Sequence, residues 1–442
     1  MKCIETDYLI IGAGAMSLAF ADELHRSQPN ARMVIVERRC APGGHWVDAY
    51  PFVRLHQPAL AYGVNSAALG RGGDDLSSRS EILAYYERAL RRLTDSGRVT
   101  AFFRSEVDEA GQIVSLMDTR DPVSVTVKKR VVDGGYMHVE VPATHPPRFE
   151  MAPGVRVLPP NALVGGGNGI SPFVIVGAGK TGIDAVLYLL GHGVAADRIH
   201  WILSNDTWLW NRAHVQLPGV GDELLSFVQA IAQASDLDDV FTRLEARGSL
   251  LRLSETVMPS RWRCATVSRE ELTALQTIRQ VIRLGRVQKI EPGQIVLDEG
   301  TVTVPTDAQF INCTANGLRA RPARPVFTPD RITLQPLFMC QQVLSAAVIA
   351  RMEAQGMDDA SANALWEVVP HPDHASDLPD RMVTTMGNLL RAQPRMGWWL
   401  RRSRLNILSH LSWPRYVSAA LKARRWLPRA EANLGRLRPR GG

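Results

Sequence analysis

No apolar run of 18 residues occurs in this 442-residue chain, so nothing in it reads as a membrane-spanning helix. No charged stretch followed by an apolar core stands at its start, so no secretory signal is expected. Cysteines are few. Cys3, Cys40, Cys264, Cys313 and Cys340 are odd in number, scattered and without metal-ligand spacing. They predict reduced thiols in a cytoplasmic protein and no metal site. No Ser-His-Asp or metal set stands out by spacing, and no nucleic-acid-binding module is recognisable. The chain is 45% apolar and 21% charged, enough to bury a large core, and its length predicts two or three domains.

What is present is a pair of glycine-rich loops, 165 residues apart. The first is Gly12-Ala13-Gly14-Ala15-Met16-Ser17, after the apolar run Tyr8-Leu9-Ile10-Ile11. Gly12 permits a tight strand-to-helix turn, and Gly14 lets the backbone approach a pyrophosphate held at the helix N-terminus. The third position, usually Gly or Ala for close helix–strand packing, is Ser17. A second strand, Met33-Val34-Ile35-Val36, ends at Glu37, where a carboxylate suits a ribose diol.

The second loop is Gly177-Ala178-Gly179-Lys180-Thr181-Gly182, after Phe173-Val174-Ile175-Val176. Lys180-Thr181 suggests a phosphate-binding P-loop, but that motif needs glycine at Val174. The dinucleotide pattern is complete. The following strand, His200-Trp201-Ile202-Leu203, ends at Ser204 rather than at an acid. With Asn205 and Thr207 nearby and Arg212 the next cation, this predicts a 2′-phosphate, hence NADP(H) over NAD(H). Two such loops suggest two cofactors held together, most simply a flavin and the nicotinamide that reduces it.

Further signals fit between and after these units. Gly43-Gly44-His45-Trp46 permits close approach to a flat cofactor that Trp46 would wall. Phe310 to Gly317 reads as a buried strand running into a small-residue turn around Ala315, able to return the chain beside the first cofactor. Tyr50-Pro51 and Leu55-His56-Gln57-Pro58 are candidates for a flavin-proximal loop. His45 and His56 fall in that region, as structural or acid–base groups. Trp208-Leu209-Trp210 is read as core or pocket wall.

Together these motifs resemble the class B flavoprotein monooxygenases: flavin-containing monooxygenases, Baeyer–Villiger monooxygenases and amine N-hydroxylases. The resemblance covers about residues 5–60, 170–205 and 305–320. It implies an α/β fold with two Rossmann-like dinucleotide-binding domains. FAD would lie on Gly12, Gly14, Glu37, Gly44 and Trp46, and NADPH on Gly177, Gly179 and Gly182. Ser17, Gly43, Lys180, Thr181, Ser204, Arg212 and Ala315 complete the cofactor-binding candidates. The implied reaction is oxygenation of a small molecule with O2 through a flavin C4a-hydroperoxide. No catalytic side chain is singled out. The group's Phe-x-Gly-x-x-x-His fingerprint is missing, and the nearest stretch is Gly134-Gly135-Tyr136-Met137-His138. That departure keeps open a non-oxygenating FAD/NAD(P) oxidoreductase or a nucleotide-binding assembly partner. A disulfide reductase fits worse, because no redox-active cysteine pair follows the first acid.

The expected organisation is an FAD domain from 1–165 and 305–360, an NAD(P) domain over 170–300 with a helical insertion at about 219–285, and a helical extension over 361–442. Val123–Val127 and Met137–Val141 are expected to form a hairpin turned by Gly134-Gly135. From Arg395 onward stand 12 Lys or Arg and one acid, net +11, whereas the remaining residues sum to −4. Trp398, Trp399, Trp413 and Trp426 lie in the same stretch. Two readings stay open: a peripheral contact with an anionic membrane or acidic partner, or a solvated basic helix packed on the body.

Overall fold

The computed structural model describes residues 3–72, 75–117, 121–165, 171–217, 219–318 and 321–437. Each glycine loop sits at the carboxyl end of a strand that pairs in parallel on both sides. The first begins with β1 (Cys3–Ile11), α1 (Ala15–Ser27) and β2 (Met33–Glu37). β2 is buried along its whole length, as a parallel strand covered on both faces requires. Helix α2 (Arg79–Asp95) then leads to β3 (Val99–Phe103). A capping box at Ser78 and Glu81 starts α2. The sheet order is Phe327–Thr328, Arg331–Thr333, Ser124–Asp133, β1, β2, β3. β1 pairs in parallel on both sides, Ile11 against Val36 and Ile11 against Asp133.

The second sheet is wholly parallel, in the order Gln280–Ile282, Ile199–Ile202, Phe173–Val176, Gln309–Asn312, Val157–Leu158. Its glycine loop feeds the helix Lys180–Gly191, whose Ile183, Val186 and Leu189 are buried. The expected α/β fold with two Rossmann-like units and a helical C-terminal region is therefore present.

Several expectations need correction. Ser124–Asp133 is a single strand parallel to β1, not half of a hairpin. The 137–141 stretch forms only a bridge from Glu140 to Gly317. Central placement beside β1 gave the apolar alternation of this strand a better partner than its neighbour in sequence. The insertion expected at 219–285 as helix is mixed. Val220–Gln233 and Leu237–Ala246 are helical, but Leu250–Leu251 and Arg261–Val267 flank Thr207–Asn211 in a three-stranded sheet. Gln309–Asn312 belongs to the second sheet, and the chain rejoins the first sheet only at Phe327. The return set at 305 thus lies later.

The basic C-terminal stretch is docked. Helices Leu378–Arg402 and Trp413–Leu437 pack on each other and on Val220–Gln233. Asn433 donates its side-chain N–H groups to the carbonyls of Ile231 and Ala234, both at 2.8 Å. Trp399 donates to Glu23 at 2.8 Å. Trp398 and Trp413 remain exposed.

Candidate functional site

A cleft of about 1570 Å³ runs between the two glycine loops. Helix α1 and the helix Lys180–Gly191 both begin at its wall. Gly14 and Gly179, their N-caps, offer no side-chain cap, and neither helix has an acid in its first turn. Their free N–H groups and positive dipole ends are therefore left for anions. A Cβ on Gly44 would stand 3.0 Å from the Cα of Gly14, while one on Gly179 would meet nothing within 4 Å. The first loop is thus a close backbone-to-backbone cradle and the second an open one. Both fit a pyrophosphate.

Most candidates line this cleft: Gly12, Gly14, Glu37, Gly44, Trp46, Gly177, Gly179, Lys180, Thr181, Ser204 and Ala315. The Glu37 carboxylate is buried and accepts the N–H groups of Ala13 at 2.7 Å and Arg39 at 2.9 Å. It locks the loop while facing the cleft. Trp46 donates to the Tyr62 hydroxyl at 2.8 Å. Lys180 is paired with Asp184, which also accepts from the Tyr50 hydroxyl at 2.6 Å. That contact ties the first unit to the second.

Four candidates stand behind the cleft rather than on it. Ser17 is buried where α1 crosses the sheet, so close to Gly134 that a Cβ there would fall 1.9 Å from its Oγ. Gly43 takes a φ of +124° and gives its N–H to Ala13 at 2.9 Å, backing the loop. Gly182 lies so near Gly177 that a Cβ would come 2.1 Å from the Gly177 carbonyl oxygen. Arg212 is turned away, forming a two-pronged ion pair with Glu271 at 2.6 and 2.9 Å. Among the cations that border the cleft, Arg261 and Arg263 stand on the strand beside Thr207, and both are paired with Asp373.

His45 and His56 keep some surface on the cleft wall. Burial, with Arg39 near one and Lys180 near the other, lowers them to about 4 and about 3. Both are neutral at physiological pH. Buried His371, equally on the wall, is lowered to about 4 chiefly by desolvation, then by Arg263. Nothing in the local sequence marked His371, Arg261, Arg263 or Asp373, because they reach the cleft from two segments distant in the chain. Gly134 and Gly135 also line it, directly after the strand beside β1. The turn around Ala315 lines the same cleft, but it leaves the second sheet: Cys313 donates to Val176 at 2.8 Å, against the second loop. Cys264 and Cys340, expected as free thiols, are joined as a disulfide across 76 residues. Cys3, Cys40 and Cys313 are free.

Two facing dinucleotide cradles around one cleft define the class B flavoprotein monooxygenase-like fold. Solved structures share it at the level of fold. A polycyclic ketone monooxygenase from Thermothelomyces thermophila superposes over 99% of this chain and 86% of its own, with 12% identity and a TM-score of 0.53. An open form of cyclohexanone monooxygenase covers 81% of this chain and 88% of its own, at 12% identity and a TM-score of 0.51. A model of the NAD(P)-binding Rossmann-like domain matches residues 10–67. At the level of sequence, Uncharacterized protein Rv2000 of Mycobacterium tuberculosis is 45% identical over 429 residues, 93% of this chain and 79% of its own. Uncharacterized protein Mb2023 of Mycobacterium bovis matches equally. The chain belongs to the family of these mycobacterial proteins.

Proposed function

We propose that this protein is an FAD-dependent, NADPH-reduced monooxygenase of a small-molecule substrate. The carrying observation is the pair of uncapped, acid-free helix N-termini facing one cleft. FAD would rest on Gly12, Gly14, Glu37, Gly44 and Trp46, and NADPH on Gly177, Gly179, Lys180 and Thr181. The chemistry a flavin supplies there is hydride acceptance from the nicotinamide and activation of O2 for transfer of one oxygen atom. The chain's residues bind, orient and exclude water. The first loop fixes the pyrophosphate end, Trp46 closes the wall, and Tyr50 with Asp184 holds the two units in register. Ser204, Asn205 and Arg261 would recognise the 2′-phosphate; Arg261 lines the cleft and Arg212 does not. The purified protein should be yellow and should bleach anaerobically with NADPH. In air, NADPH should then be consumed in step with substrate oxygenation. A flavoprotein that reoxidises without ever oxygenating a ketone, amine or sulfide would instead be the non-oxygenating oxidoreductase.

A separate reading concerns the docked basic helices. Exposed Trp398 lies under Arg402 and exposed Trp413 under Arg401, an amphipathic pairing suited to an anionic lipid surface. No helix among the described residues is long and apolar enough to cross a membrane. Sedimentation with anionic vesicles at low salt tests this contact, and failure to co-sediment overturns it.

A further inference from the structure

Two cysteines and a histidine from three distant segments converge on the cleft wall. Cys264 lies in the strand Arg261–Val267, Cys340 precedes the helix Gln342–Ala354, and His371 follows the buried Trp366. Both sulfurs and a ring nitrogen of His371 lie within 4.8 Å of one another. All three residues line the cleft.

Two further observations show that the backbone is arranged around these side chains. Cys264 and Cys340 have φ of +56° and +59°. Among the described residues, Arg104 is the one other non-glycine with positive φ. That conformation is unfavourable for a non-glycine residue, and it concentrates at functional sites. In addition, the His371 Nδ1–H donates to the Pro372 carbonyl at 2.9 Å, the tautomer this contact sets. Nε2 then carries the lone pair. A ligating imidazole is held in this way, by its other nitrogen on a carbonyl. The charge on nearby Arg263 is offset by Asp373.

We propose that Cys264, Cys340 and His371 form a zinc site that opens when their disulfide is reduced. Bonds of about 2.3 Å to sulfur and about 2.0 Å to nitrogen suit donors gathered this closely, with a fourth position toward the cleft. Two thiolates and a neutral imidazole around a divalent cation sum to zero charge, which a buried wall tolerates. The disulfide is the closed, cation-free state. A water-soluble trialkylphosphine opens it: the S–S bond breaks, two thiols form with hydrogens from water, and phosphorus leaves as the phosphine oxide. Cation binding then forms two S–metal bonds and releases two protons.

The test uses the full chain carrying Cys3→Ser and Cys40→Ser, which removes the exposed thiols as competing donors. After phosphine treatment the free-thiol count should rise by two. Co²⁺ titration should then develop thiolate-to-cobalt absorption at about one ion per chain, bleached by added Zn²⁺. The oxidised protein should show none. Cys264→Ser, Cys340→Ser and His371→Ala should each weaken uptake at least about tenfold. Absence of the absorption in protein whose two thiols have been freed would overturn the site. So would a disulfide that resists reduction in the folded chain, or uptake unchanged in Cys264→Ser. The first two outcomes need no variant at the site, so misfolding cannot mask them. None of the readouts depends on flavin or on oxygenation.

Discussion

Gly14 and Gly44 show how little room the first cradle leaves. The backbone of Gly14 is in the ordinary extended region, so a side chain there is excluded by space rather than by φ. A Cβ would already touch the Cα of Gly44 at 3.7 Å, and a branched one would fill the volume where a pyrophosphate has to lie. Gly14→Val should therefore lower bound FAD at least about tenfold while the far-ultraviolet spectrum is retained. Wild-type flavin stoichiometry in the variant would remove this loop as the FAD site. Arg261 and Arg212 offer a second residue-level contrast. Arg261→Gln should reduce the preference for NADPH over NADH about tenfold in stopped-flow flavin reduction, the scale of a hydrogen bond to a charged group. Arg212→Gln should leave the preference intact and lower stability, since it deprives Glu271 of its partner. The reverse pattern would restore the sequence expectation for Arg212.

At the scale of elements, the C-terminal helices behave as part of the body. Ala423, Leu427, Ala430 and Leu437 bury the inner face of Trp413–Leu437, and Asn433 caps two carbonyls at the end of Val220–Gln233. Asn433→Ala should cost about 1–3 kcal/mol in chemical denaturation, because it leaves buried acceptors without donors. A change below about 0.5 kcal/mol would show that water replaces the amide there. Composition registered the basic residues and tryptophans of this stretch. It could not separate a docked helix from a surface-seeking one, since an amphipathic pattern looks the same against protein or lipid.

For the whole molecule, three neutral histidines at one cleft link stability to pH. His45, His56 and His371 are lowered to about 4, 3 and 4 from an ordinary value near 6.5. The unfolded chain therefore binds more protons than the folded one between pH 6.5 and about 4. Stability must fall as pH falls through that window and be fully present above it. The melting temperature should drop on acidification from pH 7 to 5, and His56→Gln should flatten the decline. A melting temperature constant over that range would show that these rings stay solvated in the folded chain.

Both glycine loops, the strands that launch them, the acid at Glu37 and the α/β class were legible in the order of residues alone. These are local patterns, in which a turn, an uncapped helix and an apolar strand follow one another within about 30 residues. Residue order misplaced Val123–Val141, because alternation shows that a strand exists but not which strand it joins. It read the short strands within 219–285 as helix, because runs this short carry little periodicity of their own. Tertiary structure alone decided that Ser17 and Gly182 serve packing and that Arg212 is spent on Glu271. It likewise decided that the 309–312 strand joins the second sheet, and it brought Cys264, Cys340 and His371 to one wall. Those outcomes depend on which surfaces meet, and residues separated by 76 positions carry no local mark of their meeting.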